Sequence, residues 1–243
     1  DIDPIKAATL KLPYSDERVL HYGMIPRANR SIFVLNELPD LQARIQVSLF
    51  NILQEGDIQI RGFQLRLPLD IQFVFTANPE DYTNRGSIVT PLKDRIGSQI
   101  FTHYPGNIEI GRQITKQEIR LAKPQKKVEV PELIEKIIEQ IAVEARQSEF
   151  VDEKSGVSAR LAISAYESVV SSVERRMIIN GEKTGVARIS DLNATIPAIV
   201  GKIEMVYEGE QEGSVNVALK LISEAIKSLA PGYFSGIERL KSS

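Results

Sequence analysis

Ser31-Ile-Phe-Val-Leu-Asn-Glu-Leu-Pro-Asp40 decides how the rest of this chain is read. Ile32 to Leu35 are four consecutive apolar residues, which predicts a short strand buried on both faces, as in a parallel sheet covered by helices. Polar residues follow at the strand's carboxyl end, where open α/β sheets place their ligands. Asn36 and Glu37 are the two side chains delivered there.

Composition narrows the function classes. The chain has 243 residues, 42% apolar and 26% charged, ordinary values for a globular protein with a sizeable core and room for two domains. Its net charge is −2 with both signs spread along the chain, so no basic stripe points to nucleic acid. With no Cys, and His21 and His103 the only histidines, neither a disulfide framework nor a thiolate or His-rich metal cluster is available. No apolar stretch approaches a membrane span and no signal peptide is visible, which makes the cytoplasm the expected compartment. The chain opens Asp1-Ile-Asp-Pro4 with its first Met at Met24, and is expected to be a piece of a longer protein.

Downstream of the opening strand, Pro39 to Leu53 reads as an amphipathic helix with Leu41, Ile45, Leu49, Phe50 and Leu53 on one stripe, stopped by Gly56. Asp57-Ile-Gln-Ile-Arg-Gly-Phe-Gln-Leu-Arg-Leu-Pro68 alternates apolar and polar residues on both sides of Arg61-Gly62, a β-hairpin pattern. A second buried strand, Ile71 to Thr76, again ends in polar residues, Ala77-Asn78-Pro79. A short helix over Pro91–Ile96 leads to an expected third strand around Gln99–His103. Residues 106–129 read as a connection. From Pro131, a suitable first helical residue, the chain turns helical. One stripe runs through Leu133, Ile137, Ile138, Ile141 and Ala145. A second occupies Val157, Leu161, Ala165, Val169, Val173 and Met177. A third helix starts at Ser214 and carries Val217, Leu221, Ile222, Ala225 and Leu229, with a shorter helical pair over 189–208.

Three segments in order carry a family resemblance. Gly23-Met-Ile-Pro-Arg-Ala-Asn-Arg-Ser-Ile-Phe-Val-Leu-Asn-Glu-Leu-Pro-Asp-Leu41, Phe75-Thr-Ala-Asn-Pro-Glu-Asp-Tyr-Thr-Asn-Arg-Gly86 and Pro91-Leu-Lys-Asp-Arg-Ile-Gly97 resemble AAA+ ATPases of the magnesium chelatase ATPase-subunit type, close to the MoxR-like group. The resemblance is strong over about 20–104. It is weaker over the helical part, where Gly156-Val-Ser-Ala-Arg160 carries it. It implies the C-terminal part of an AAA+ α/β nucleotide-binding domain (1–105) with a β-hairpin insert, a linker (106–129), and an all-helical lid domain (130–243). No G-x-x-x-x-G-K-[ST] phosphate loop occurs in the sequence, which places that loop, on this resemblance, upstream of residue 1. The isolated chain is then expected to bind ATP poorly and hydrolyse almost none.

The resemblance assigns roles, each with a plainer reading beside it. The strand ending in Asn36-Glu37 resembles a Walker B segment, where the usual pair is Asp-Glu. Glu37 is then the general base that orients or deprotonates the attacking water; the plainer reading is a carboxylate capping the following helix. Asn36 falls where an Asp holds the Mg²⁺ shell, and a neutral amide oxygen brings no charge to a hard cation that prefers carboxylates. Asn78 resembles the sensor 1 residue, against an Asn that merely opens an Asn-Pro turn. Arg95 resembles the arginine finger that reaches the neighbouring subunit's nucleotide, with Arg85 as competitor; a helix-end Arg paired with Asp94 or Glu80 is the alternative. Arg160 resembles the lid's sensor 2 arginine, against a solvated helix-face Arg. The hairpin, with Arg61, Phe63 and Arg66, and the His21–Arg30 approach resemble inserts that face a ring's central surface, against a plain exposed hairpin.

The cofactors so implied are ATP and Mg²⁺. The implied partners are neighbouring subunits of a homo-oligomeric ring, a hexamer in the parent protein, together with a metal-binding-domain protein. Neither nucleic acid nor membrane is among them. The leading function is an ATP-driven motor that inserts metal or remodels a partner protein. The alternatives are a sigma-54-type AAA+ transcription regulator, whose Gly-Ala-Phe-Thr-Gly-Ala loop is absent from the sequence, and a non-hydrolysing interaction module.

Overall fold

The computed structural model describes residues 2–14, 16–59, 66–78, 87–152 and 156–234. They form two units, Asp1–Phe101 and Thr102–Ser243. The first is mixed α/β around a parallel strand pair; the second is helical apart from one short strand pair.

In the first unit, helices α1 (Pro4–Leu10) and α2 (Met24–Arg27) precede strand β1 (Ser31–Leu35). Helix α1 is opened by Asp3, whose carboxylate accepts the Lys6 N–H at 3.0 Å. After β1 come helix α3 (Ala43–Glu55), the hairpin strands β2 (Asp57–Gln59) and β3 (Arg66–Pro68), strand β4 (Ile71–Phe75) and the single turn α4 (Thr90–Lys93). Strands β1 and β4 pair in parallel, Ser31 opposite Ile71 through Leu35 opposite Phe75. Phe33 and Phe73 meet edge to face at 5.8 Å between ring centroids. Leu35, Phe73 and Phe75 pack against a core of Leu38, Leu49, Ile52 and Leu92.

Burial on both faces of β1, the expectation from its unbroken apolar run, is not what forms. Ile32 is 67% and Val34 52% exposed, and Val74 beside them is exposed as well. Side chains alternate across a strand, and the described core lies against only one of its two faces. The helix expected from Pro39 begins at Ala43 instead, because Leu38–Asp40 form a separate 3₁₀ turn. Gly56 ends α3 as expected, at φ +65°, a left-handed conformation that suits glycine. The helix phase also differs. Ile45 is exposed and Gln46 is buried, its amide donating to the carbonyls of Leu41 (2.9 Å) and Ser87 (3.2 Å) while its oxygen accepts from the Val89 N–H (2.9 Å). One buried amide thus fastens the segment ahead of α4 to α3. Strands β2 and β3 are antiparallel as the alternation predicts. The strand expected at Gln99–His103 is absent: the segment is irregular, Ile100 is 88% exposed, and no described strand lies beside it to satisfy its backbone.

The second unit begins earlier than the helical stripes suggested. Residues 108–118, read as connection, form helix α5 (Ile108–Glu118), opened by the Asn107 side chain accepting from the Ile110 N–H at 2.9 Å. The signal was present as an Asn cap with Glu109 in the first turn, but Gly111 and Thr115 occupy the buried face and leave no apolar stripe to recognise. Then follow β5 (Val128–Glu129), α6 (Glu132–Gln147), α7 (Leu161–Asn180), β6 (Gly185–Val186), α8 (Ile196–Val200), α9 (Tyr207–Glu212) and α10 (Ser214–Tyr233). Ile137, Ile138 and Ile141 of α6, Leu161, Val169 and Val173 of α7, and Val217, Leu221 and Ala225 of α10 form one core. Val157, expected on the α7 stripe, pairs instead with Ile203 through a backbone bridge. Gly156, just before it, admits no side chain, because a Cβ there would stand 1.8 Å from the Asp152 carbonyl oxygen.

Charge ties the outer elements to this core. Arg112 on α5 reaches Glu109 (2.6 Å), Glu132 (3.2 Å) and Glu135 (2.6 Å), and Lys116 joins Glu135 at 2.8 Å. Arg176 on α7 holds the buried Asp191 at 2.5 Å. Burial works against the Asp191 carboxylate, yet Arg176 and the Arg188 backbone N–H bring its pKa below the ordinary value. Among the described residues no helix is long and apolar enough to cross a membrane.

Glu139 of α6 is buried and takes one hydrogen bond, from the Thr115 hydroxyl at 2.5 Å. Burial raises its pKa, with the Thr115 bond and Arg146 acting in the opposite sense. A carboxyl raised in the native state contributes stability that is full below the ordinary glutamate value of 4.5 and is lost as pH climbs through the raised value. Glu139→Gln, which keeps the shape and removes the charge, is therefore expected to unfold at a higher temperature than the native chain at pH 7. At pH 4 the two should unfold together. Thermal unfolding at the two pH values checks this.

Candidate functional site

The parallel register ends β1 and β4 side by side, and Thr76 then stitches the two ends together. Its N–H donates to the Leu35 carbonyl at 3.0 Å, and its own carbonyl accepts the Leu38 N–H at 2.9 Å. Its hydroxyl accepts the Glu37 N–H at 3.0 Å and lies 3.4 Å from Asn36 Oδ1, to which it donates. Four bonds from one residue fix the path of the chain across Asn36 and Glu37.

That path is strained. Glu37 sits at φ +52°, ψ +57°, in the left-handed region that costs a non-glycine residue on the order of 1–2 kcal/mol. Its Oε2 is buried without a hydrogen-bond partner among the described residues. An orphaned carboxylate oxygen on a strained, clamped backbone at a strand's carboxyl end is the arrangement expected of a group held ready for a ligand or a water. The capping alternative finds no support: the 3₁₀ turn that Glu37 precedes takes no hydrogen bond from its side chain, and α3 begins six residues later.

The other sequence-predicted residues are placed as follows. Asn36 is exposed at the end of β1, and Asn78 is exposed two residues past Thr76, so both lie at the carboxyl ends of the same strand pair. Arg95, just after α4, is turned onto its own unit. Its guanidinium donates to Gln54 Oε1 at 2.5 and 3.2 Å and to the Pro91 carbonyl at 2.7 Å, and it lies 5.4 Å over the Phe50 ring. Gln54 and Phe50, rather than Asp94, are thus its partners. Arg160 belongs to the second unit, exposed at the residue that opens α7, with its N–H donating to Ser158 Oγ at 3.2 Å. Arg61, Phe63, Arg85 and Glu80 lie outside the described residues. Arg66 spans the hairpin to Asp57 at 3.5 Å. In the approach to β1, Arg30 donates its N–H to the Asp70 carbonyl at 2.6 Å and Asn29 Oδ1 accepts the Asp70 N–H at 2.7 Å.

Asn36 and Glu37 offer one amide oxygen and one carboxylate, hard oxygen donors that suit Mg²⁺. That ion is ordinarily held by one or two carboxylates plus phosphate and water oxygens. The orphaned Glu37 Oε2 is the atom on which this fit rests. Among the described residues no group of three or more acidic, His or Cys side chains could hold a metal by itself. Thr76 is the site residue that sequence reasoning missed. It stood as the last letter of an apolar strand, and nothing local marks a threonine whose hydroxyl reaches the neighbouring strand.

Part of the chain is similar to known proteins. Residues 13–97, which include both strands and the clamp, match the sigma-54 interaction domain, an AAA+ ATPase family. Among solved structures the chain is similar to a Cytophaga hutchinsonii protein described as a "putative ATPase", with 18% identity and a TM-score of 0.33 over 79% of this chain. The chain spans 64% of that protein's length. No curated protein matches the chain. Over 13–97 the first unit is thus similar to an AAA+ α/β domain, and a helical region follows it in the sequence.

Proposed function

We propose that the chain is the hydrolysis-side half of an AAA+ ATPase of the magnesium chelatase/MoxR-like type, with the helical unit as its lid. The observation that carries this is Glu37, held by the Thr76 clamp at φ +52° with Oε2 unpartnered. In that role the carboxylate accepts a hydrogen bond from the attacking water and takes its proton as the water oxygen bonds the γ-phosphorus of ATP and the bond from that phosphorus to the ADP oxygen breaks. Asn36 and Glu37 are the residues that would hold Mg²⁺, which when bound neutralises phosphate charge. Asn78, three residues past the end of the neighbouring strand, serves to align the water or the γ-phosphate.

Arg95 and Arg160 supply positive charge in this reading, the first to the next subunit of a ring and the second to the nucleotide of its own subunit. Arg95 has first to leave Gln54 and Phe50, so ring assembly would exchange one set of partners for another. In this reading the hairpin and a metal-binding-domain partner protein belong to a motor that acts on other proteins. A sigma-54-type regulator is the second reading, favoured by the family match over 13–97. The lack of a Gly-Ala-Phe-Thr-Gly-Ala loop in the sequence speaks for the first.

Phosphate release by the full-length protein tests the proposal. Glu37→Gln should slow turnover by about a hundredfold or more while nucleotide affinity is kept, the magnitude ordinary for loss of a general base. Equal turnover by the native protein and this variant would sink the assignment. Thr76→Val, which removes the acceptor of the Glu37 N–H, is expected to cost about tenfold in kcat, and Thr76→Ser to restore it. Asn36→Asp adds a charge for the cation and should raise turnover at limiting magnesium, an effect that disappears at saturating magnesium.

A further inference from the structure

Helix α6 carries a second, unrelated constellation. Glu139, Val143 and Arg146 recur at four- and three-residue spacing, so they share one face of the helix over two turns. Against that face lies a cavity of about 500 Å³, walled also by Gly106, Ile108 and Gly111. Its size is that of a small-molecule site.

The two charged walls are poorly satisfied. The Arg146 guanidinium lies 4.2 Å over the Tyr104 ring, and its Nε is buried with no hydrogen-bond partner among the described residues. Tyr104 is itself fixed, its hydroxyl donating to the Val157 carbonyl at 2.5 Å. Glu139 is 6% exposed, and of its two oxygens Oε1 takes the Thr115 hydroxyl. Oε2 lies against Gly111, where a Cβ would come within 2.5 Å of it, so the glycine leaves the carboxyl its room. Burial pushes the Arg146 pKa down and the Glu139 pKa up, the mark of two groups short of solvation. Seven residues apart on one face, the two groups attract each other across two helical turns, and among the described residues no ion pair joins them.

A lone anion beside Arg146 would also face Glu139, and a lone cation beside Glu139 would also face Arg146. A ligand with both charges satisfies both walls. Of the remaining wall, Ile108 and Val143 are aliphatic and Asn107 and Gln140 are neutral, while the Glu109 carboxylate is already paired with Arg112 at 2.6 Å and Lys136 at 3.3 Å. We propose that this cavity binds a small aliphatic zwitterion of the α-amino-acid class. Its carboxylate lies on Arg146, its ammonium on Glu139 and its side chain on Ile108 and Val143. The site stands apart from the nucleotide reading and does not depend on it.

Titration of the isotope-labelled chain with L-leucine, followed by amide NMR, tests this. N-acetyl-leucine and leucinamide are the controls that each remove one charge. Saturable shifts at Gly106, Gly111 and Val143 are expected with leucine, and each blocked analogue should bind about tenfold or more weakly. Glu139→Gln preserves the Thr115 contact and the fold, and should bind leucine no more tightly than N-acetyl-leucine. Arg146→Met should lose both. No saturable shift at about 10 mM leucine, where any Kd near 1 mM would register, overturns the proposal. So does N-acetyl-leucine binding as tightly as leucine, which would mark a plain anion site. Unchanged leucine affinity in Glu139→Gln overturns it as well.

Discussion

The parallel pairing of β1 with β4 is the constraint on which the first unit depends. Five residue pairs in register, Ser31 with Ile71 through Leu35 with Phe75, make the two strands end at the same level. A slip of one residue would turn Phe33 and Leu35 away from the core and present Ile32 and Val34 to it. It would also carry Thr76 past Glu37. Leu35, Phe73 and Phe75, which stand in this register, are also the side chains that pack on the core, and Phe33 meets Phe73 edge to face. Packing and site geometry are therefore a single choice.

What could be read beforehand follows from how local each signal is. The two strands, the α3 stop at Gly56, the hairpin ends and the stripes of α6, α7 and α10 are encoded within a few residues of themselves, and they form. Burial on both faces of β1 and the strand at 99–103 were not legible, because each depends on what lies beside the chain and not on the chain's own letters. Helix α5 escaped notice for a related reason. Its buried positions are Gly111 and Thr115, chosen to fit Glu139 of α6, so its inward face carries a polar network where a stripe would be expected.

The second unit divides its work between apolar burial and charge. Ile138, Val169 and Leu221 supply a close-packed centre, while Arg112 and Arg176 fix the elements laid over it. These largely buried pairs fix orientation, since a guanidinium that serves Glu109, Glu132 and Glu135 together has little freedom left. Glu139 and Arg146 stand out against that background. Arg112 and Arg176 each hold a carboxylate, whereas Arg146 and Glu139 line one cavity and, among the described residues, make no ion pair.

Asn36 looks at first like a lost charge, and the clamp gives it a different meaning. An Asp there would set two carboxylates on consecutive residues with a single hydroxyl between them, and the charged oxygen would draw the Thr76 O–H strongly to itself. The amide accepts that O–H only at 3.4 Å, and the same hydroxyl oxygen receives the Glu37 N–H at 3.0 Å. Glu37 is then the sole negative charge of the pair, and its Oε2 keeps its lone pairs unused. Substitution at position 36 thus trades grip on a cation for an undivided carboxylate at position 37, and the backbone strain at Glu37 is borne on the side of the pair that the trade favours.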